Sequence, residues 1–287
     1  MWYNLRARPR KGNAVIARWT RWTAVTALIV GLSGAAHAAE KVRIGGTGIG
    51  LAAAQALGDA LHKAEPGISV EVLRSLGTPG GLRALAQGAV EVAIAARPLL
   101  PAEREQGLRE ASCLRTALIF VTSHPTAAGV ERKRLPAIYD GTLGNWPDGA
   151  PLRPVLRLRA GMEMPYLSQA IPGMERALEA ALARRGVPVG TTDQENIALA
   201  QEIPGSFAVA TLLQILSERP GVRVLDLDGV APTAASIADG SYPLPVRVCF
   251  AVPATPSAGA QRFVEFANSE AGRAILRGFE AAAESVQ

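Results

Sequence analysis

The sequence has 287 residues and a mass of 30.0 kDa, 48% of it hydrophobic, with 30 Lys+Arg against 25 Asp+Glu. That is apolar material for one large or two small cores, which excludes a wholly disordered chain. The formal charge of +5 does not make a nucleic-acid surface: Arg6, Arg8, Arg10, Lys11, Arg18 and Arg21 crowd the first 38 positions without an acid, leaving 24 basic against 25 acidic residues elsewhere, a net of −1.

In that first segment an apolar run, Thr23 to Gly34, follows the basic stretch and precedes Ala36-His37-Ala38. This is the pattern of a cleavable export signal over residues 1–38, and the run is too short to span a bilayer. Export predicts a periplasmic protein and an oxidising setting for Cys113 and Cys249. A disulfide and a pair of buried thiols are both open at this level. His37, His62 and His124 show no ligand spacing, so no metal is expected.

From Lys41 the pattern alternates. Lys41–Gly45 reads as strand; Leu51, Ala54, Leu57 and Leu61 fall at helical spacing; Ile68, Val70 and Val72 return to strand spacing. A glycine turn, Gly77-Thr78-Pro79-Gly80-Gly81, leads into Leu82–Ala86 as helix and Val90–Ala95 as strand. This βαβαβ order predicts a parallel sheet covered by helices. Strands are expected near Leu118–Val121, Val155–Leu158, Val222–Leu227 and Val246–Val252, and helices over Met174–Arg185, Arg262–Ala267 and Ala271–Phe279. Thr192 with Glu195 three residues on reads as a capping box. The length favours two lobes with crossings near His124-Pro125 and Tyr242-Pro243-Leu244-Pro245: lobe one from 39–123 and 244–287, lobe two from 124–243.

Two turns carry chemistry. Gly45-Gly46-Thr47-Gly48-Ile49-Gly50-Leu51 follows a strand and opens a helix, so its amides can face an anion. Ser75-Leu76-Gly77-Thr78-Pro79-Gly80-Gly81 repeats that arrangement, and two such turns at one carboxyl edge of a sheet converge on one crevice. The first turn also resembles the glycine loop of short-chain dehydrogenases, which would imply an NAD(P) enzyme. None of Tyr139, Tyr166 or Tyr242 has the lysine four residues on that such chemistry needs.

Taken together, Ile44–Leu51, Ser75–Leu82, Gly88–Leu99, Ile138-Tyr139-Asp140-Gly141 with Asn145-Trp146, Arg157, and Pro204-Gly205-Ser206-Phe207 resemble the extracytoplasmic solute-binding proteins of phosphate-type ABC transporters. The resemblance implies an α/β fold, the two-lobed periplasmic-binding-protein clamshell (type II), each lobe a mostly parallel sheet flanked by helices. It also implies capture of a tetrahedral oxyanion, phosphate first, for an ABC transporter permease or for sensing. There would be no chemical step and no cofactor, and a monomer is expected.

Matched residue by residue, the ligand-binding set is Thr47, Gly48, Ile49 and Gly50 in the first turn, Ser75, Thr78 and Gly80 in the second, Arg97 past the following strand, and Arg157 or Arg159 from lobe two. Members similar to this chain carry a hydroxyl where Ile49 stands. The structural alternatives are a helix cap for Thr78 and a salt bridge between lobes for Arg97; Thr191, Thr192 and Asp193 could add amides from another helix start, but capping alone explains them. Two departures matter. Phosphate-selective members place an aspartate, which accepts the O–H of a protonated phosphate, where Ala96 stands, and their lobe-two Ser-Gly-Thr is here Met162-Glu163-Met164. Glu91 and Glu163 are the acceptors left nearby. Another anion, such as sulfate, a phosphonate or a small organic acid, is the alternative ligand.

Overall fold

The computed structural model describes residues 40–159 and 161–284, so the export signal read over 1–38 lies outside the described residues. Val42 and Ile44 alternate inward along β1 (Glu40–Gly46), which pairs in parallel with β2 (Ile68–Val72) on one side and β3 (Val92–Ala95) on the other. α1 (Leu51–Ala64) links β1 to β2 through its buried Leu51, Ala54, Leu57 and Leu61 face, and α2 (Gly77–Ala86) links β2 to β3. α2 begins five residues before the expected Leu82. Of its three glycines only Gly77 has a positive φ, +65°, so Gly80 and Gly81 continue as helix and not as turn.

After α3 (Pro101–Glu105) comes β4 (Leu108–Thr122), a 15-residue strand. There follow β5 (Gly129–Val130), α4 (Leu135–Asp140), β6 (Arg153–Arg157), α5 (Glu163–Ala170), α6 (Met174–Ala183) and β7 (Val189–Gly190). Next are α7 (Asp193–Glu202), β8 (Ser206–Thr211), α8 (Leu212–Glu218), β9 (Arg223–Leu227) and α9 (Ala234–Ala238). β10 (Pro245–Pro253), α10 (Ala258–Asn268), α11 (Glu270–Arg277) and β11 (Ala282–Glu284) close the chain.

The strands form one curled mixed sheet in the order β2-β1-β3-β10-β4-β8-β6-β7, with β9 and β11 also on β4 and β5 on β9. β4 carries the sheet from one half to the other: Leu108–Ala117 pairs with β10, while Leu118–Val121 pairs with β8 and Phe120–Thr122 with β9. The sense is therefore mixed, where a mostly parallel sheet is expected in each half. β10 runs antiparallel to both β3 and β4 because the chain returns to it from the far half through Leu244-Pro245 and not through a covering crossover helix. Two tyrosines brace this passage, Tyr242 Oη donating to the Leu118 carbonyl (3.1 Å) and Tyr166 Oη to that of Pro245 (2.6 Å).

Cys113 and Cys249 lie directly opposite one another on β4 and β10 and are joined in a disulfide. In the far half Phe120 stacks on Phe207 at 5.2 Å, and Tyr139 and Trp146 close round Phe207. Trp146 Nε1 donates to the Gly205 carbonyl at 3.1 Å. The motif pieces around residues 146 and 205 thus meet each other, and they serve packing.

Candidate functional site

The first turn leaves β1 at Gly46, whose φ of +137° lets the backbone pass the β3 edge; a Cβ there would lie 2.2 Å from the Ile94 carbonyl oxygen. The Thr47 amide donates to that carbonyl at 3.0 Å, and Gly48–Gly50 form a buried 3₁₀ turn into α1. Ile49 points into the core and is 1% exposed, so only its backbone is available to a ligand.

The second turn is held against the first. The Leu76 amide donates to the Gly46 carbonyl at 2.9 Å, and a Cβ on Gly81 would lie 2.4 Å from Gly46 Cα. The first-turn amides of α2, which have no partner within their helix, therefore start beside the Thr47–Gly50 turn. Thr78 makes no side-chain cap to α2. Its buried Oγ1 accepts from the Ala96 amide at 3.0 Å, tying α2 to the end of β3, and its own proton stays available to donate. Ser75 and Gly80 are half-buried in the same segment.

The three arginines separate. Arg97 forms a fork with Glu103 of α3 (2.7 and 2.8 Å) and also reaches the Pro98 carbonyl. That hydrogen-bonded pairing raises Arg97 and lowers the Glu103 carboxyl. Its charge is spent locally within one half of the sheet, and not on a bridge between lobes. Arg159 lies beyond β6, which ends at Arg157. It is exposed, pairs with Glu179 at 3.0 Å, and lines a separate groove of about 380 Å³ between α5 and α6.

Arg157 is buried, 6% exposed, at the carboxyl end of β6. Nη1 donates to the Gly190 carbonyl at 2.9 Å and Nη2 to Asp193 Oδ1 at 3.0 Å, while Nε lies 3.5 Å from Glu163 Oε1. Asp193 Oδ2 in turn receives a long contact, 3.5 Å, from the Thr47 hydroxyl. One carboxylate thus spans an arginine and a threonine that belong to opposite halves of the sheet. Beside it, Gln194 Nε2 donates to the Gly48 carbonyl at 2.9 Å and to Glu218 of α8 at 2.8 Å.

The helix presenting Asp193 is capped much as expected: Thr192 Oγ1 accepts from the Glu195 amide at 3.1 Å. The Glu195 carboxylate, however, closes on the amide and hydroxyl of Thr191 and not on Thr192. Burial pushes the Glu163 carboxyl up, with Arg157 opposing and Asp193 reinforcing. Burial also raises Glu218, and raises Tyr139, whose hydroxyl sits near Glu163 with no hydrogen-bond partner among the described residues. Glu91 is engaged by Arg43 on the surface. Among the described residues, the close group of potential metal ligands is Glu110 with Cys113 and Cys249, and the disulfide removes both thiols from that role.

Gln194 and Glu218 are site residues to which the sequence does not point, and of Asp193 only its place at a helix start is read there, not its carboxylate. A first-turn aspartate is fully accounted for by the helix N-terminus, and the only cue to more was its nearness to the capping threonines.

No curated protein matches this chain. Among solved structures, the protein of Clostridium perfringens described as a phosphate ABC transporter substrate-binding protein with bound phosphate is 18% identical; the match covers 86% of this chain and all of that one, with a TM-score of 0.71. An ABC-type phosphate transport receptor from Vibrio cholerae is 17% identical over 84% of this chain and 99% of that one, TM-score 0.56. A periplasmic protein described as metal-binding is 17% identical over 86% and 97%, TM-score 0.56, so this fold carries more than one described ligand. The family model of the PBP superfamily domain matches residues 33–271, and the chain belongs to that family.

Proposed function

We propose that the protein is an exported, periplasmic solute-binding protein that captures a tetrahedral oxyanion, phosphate first, between two lobes and hands it to an ABC transporter permease or to a sensor. Lobe one would comprise residues 39–123 and 244–287 and lobe two residues 124–243, hinging where β4 passes from β10 to β8. The observation that carries this reading is the pair of buried donors, Thr47 and Arg157, whose side chains come from the two halves and share the oxygens of one carboxylate. A place that holds two carboxylate oxygens between a guanidinium and a hydroxyl, beside two amide-rich turns, has the donors an oxyanion needs.

Thr47, Gly48 and Gly50 would contribute from the first turn and Thr78 and Gly80 from the second, with Ser75 at their margin and the Ile49 amide alone. From lobe two we assign Arg157, and not Arg159. The neighbours described as phosphate-binding support the ligand class. A second reading, another anion such as sulfate or a phosphonate, is favoured by one observation: the Ala96 side chain offers no acceptor for a phosphate O–H, and only its amide is engaged, by Thr78.

The test is a thermal-shift panel of phosphate, sulfate, methylphosphonate and small organic acids on the chain without its leader. A ligand at a hundred times its Kd stabilises by about 2.7 kcal/mol, or roughly 5–10 °C in Tm for a chain of this size. No response to any anion refutes the proposal, and a response to sulfate but not phosphate selects the second reading.

A further inference from the structure

We propose that Asp193 is a tethered internal anion: its carboxylate occupies the oxyanion position between Arg157 and Thr47, and an incoming ligand binds by exchanging with it. The inference rests on the oxyanion-binding reading and names the residue that limits affinity there.

Arg157 spends Nη1 on the Gly190 carbonyl and Nη2 on Asp193, so the end of its fork facing the first turn is already taken. The turn is shaped to the carboxylate. A Cβ on Gly48 would lie 2.5 Å from Asp193 Oδ2, so any side chain there would push Asp193 out of place. Neighbouring groups offer the newcomer no further cation: Glu163 and Glu218 flank Asp193, and Gln194 bridges Glu218 to the Gly48 carbonyl. A di-anion approaching Arg157 therefore meets a carboxylate 3.0 Å from the nitrogen it needs. It gains the guanidinium only when Asp193 swings away, which α7 permits because Asp193 is its first residue. The same bridge, joined by the Gln194–Gly48 contact, holds the two halves together without ligand.

The experiment is calorimetric titration of the leaderless chain and its Asp193→Asn variant with phosphate and with sulfate, together with small-angle scattering of both chains without ligand. Asn keeps the shape and the helix position and removes the charge. We expect Asp193→Asn to bind phosphate at least about tenfold more tightly. We also expect the ligand-free variant to have a larger radius of gyration than the parent and to contract on adding phosphate. If both chains bind phosphate and the variant binds equally or more weakly, Asp193 is an acceptor for the ligand and not its competitor: the inference falls and the oxyanion reading stands. If neither chain binds any oxyanion, both fall. Should Asp193→Asn not fold, Asp193→Ser is read by the same criteria.

Discussion

Replacing Arg157 with alanine removes the one cation from a cluster in which Asp193 is 5% and Glu163 3% exposed. The cost falls chiefly on Asp193, which loses a hydrogen-bonded partner at 3.0 Å, whereas Glu163 lies 3.5 Å from the guanidinium. Breaking a buried ion pair from one side costs about 3–5 kcal/mol, and the Gly190 carbonyl loses its donor for about 1 kcal/mol more. A loss of about 4–6 kcal/mol is a large part of the 5–15 kcal/mol typical of a folded domain, and corresponds to a Tm lower by roughly 10–20 °C. Urea unfolding of residues 39–287 measures it conveniently, because Trp146 is the only tryptophan after residue 38 and is buried against Phe207, so its fluorescence reports one place in the far half. The double variant Arg157→Ala/Asp193→Ala should recover part of the loss, since it removes the orphaned carboxylate. An Arg157→Ala midpoint within about 1 kcal/mol of the parent, or a double variant less stable than the sum of the single losses, would refute a buried, charge-paired site.

Two further outcomes follow from particular groups. The Cys113–Cys249 bridge spans 136 residues of chain, for which loop-closure entropy gives about 5 kcal/mol as an upper figure. Reduction should therefore lower the urea midpoint, and iodoacetamide should leave both cysteines unlabelled in the denatured, unreduced chain; labelling of both disproves the bridge. Glu163→Gln tests the buried carboxyl among Arg157, Asp193 and Tyr139. Because its folded pKa is raised, the parent's stability from this group is complete below the unfolded value of about 4.3 and drains away as pH rises through the folded value. Glutamine has no proton to lose, so the variant should gain on the parent as pH rises above about 4.3, and parallel Tm profiles would contradict the assignment.

Much of the frame is legible in local pattern. Val42 and Ile44, then Leu51 to Leu61, then Ile68 declare their period within a few residues, and glycine-rich stretches after two successive strands place both turns at one sheet edge. What is illegible is which polar side chain wins which partner. Arg97 stands where a cleft arginine would stand, yet Glu103 is six residues on, and a nearby carboxylate on a short helix takes the fork at far less entropic cost than a distant ligand site. Arg157 and Arg159 are told apart only by where pairing ends: β6 stops at Arg157, and the chain beyond it is no longer held at the rim of the sheet. Asp193 is hidden most thoroughly. An acid at a helix start is already satisfied by the amides and dipole of that start, so nothing in its neighbourhood asks for another explanation. Its partners lie 36 and 146 positions away, and they meet only because β6 and β1 deliver their carboxyl ends to a common rim. A residue that suits its own helix and also neutralises a buried arginine is under two constraints, and sequence displays only the local one. The second is exposed by removing the charge while keeping the cap, because the helix is then unchanged and any gain in anion affinity belongs to the distant partners alone.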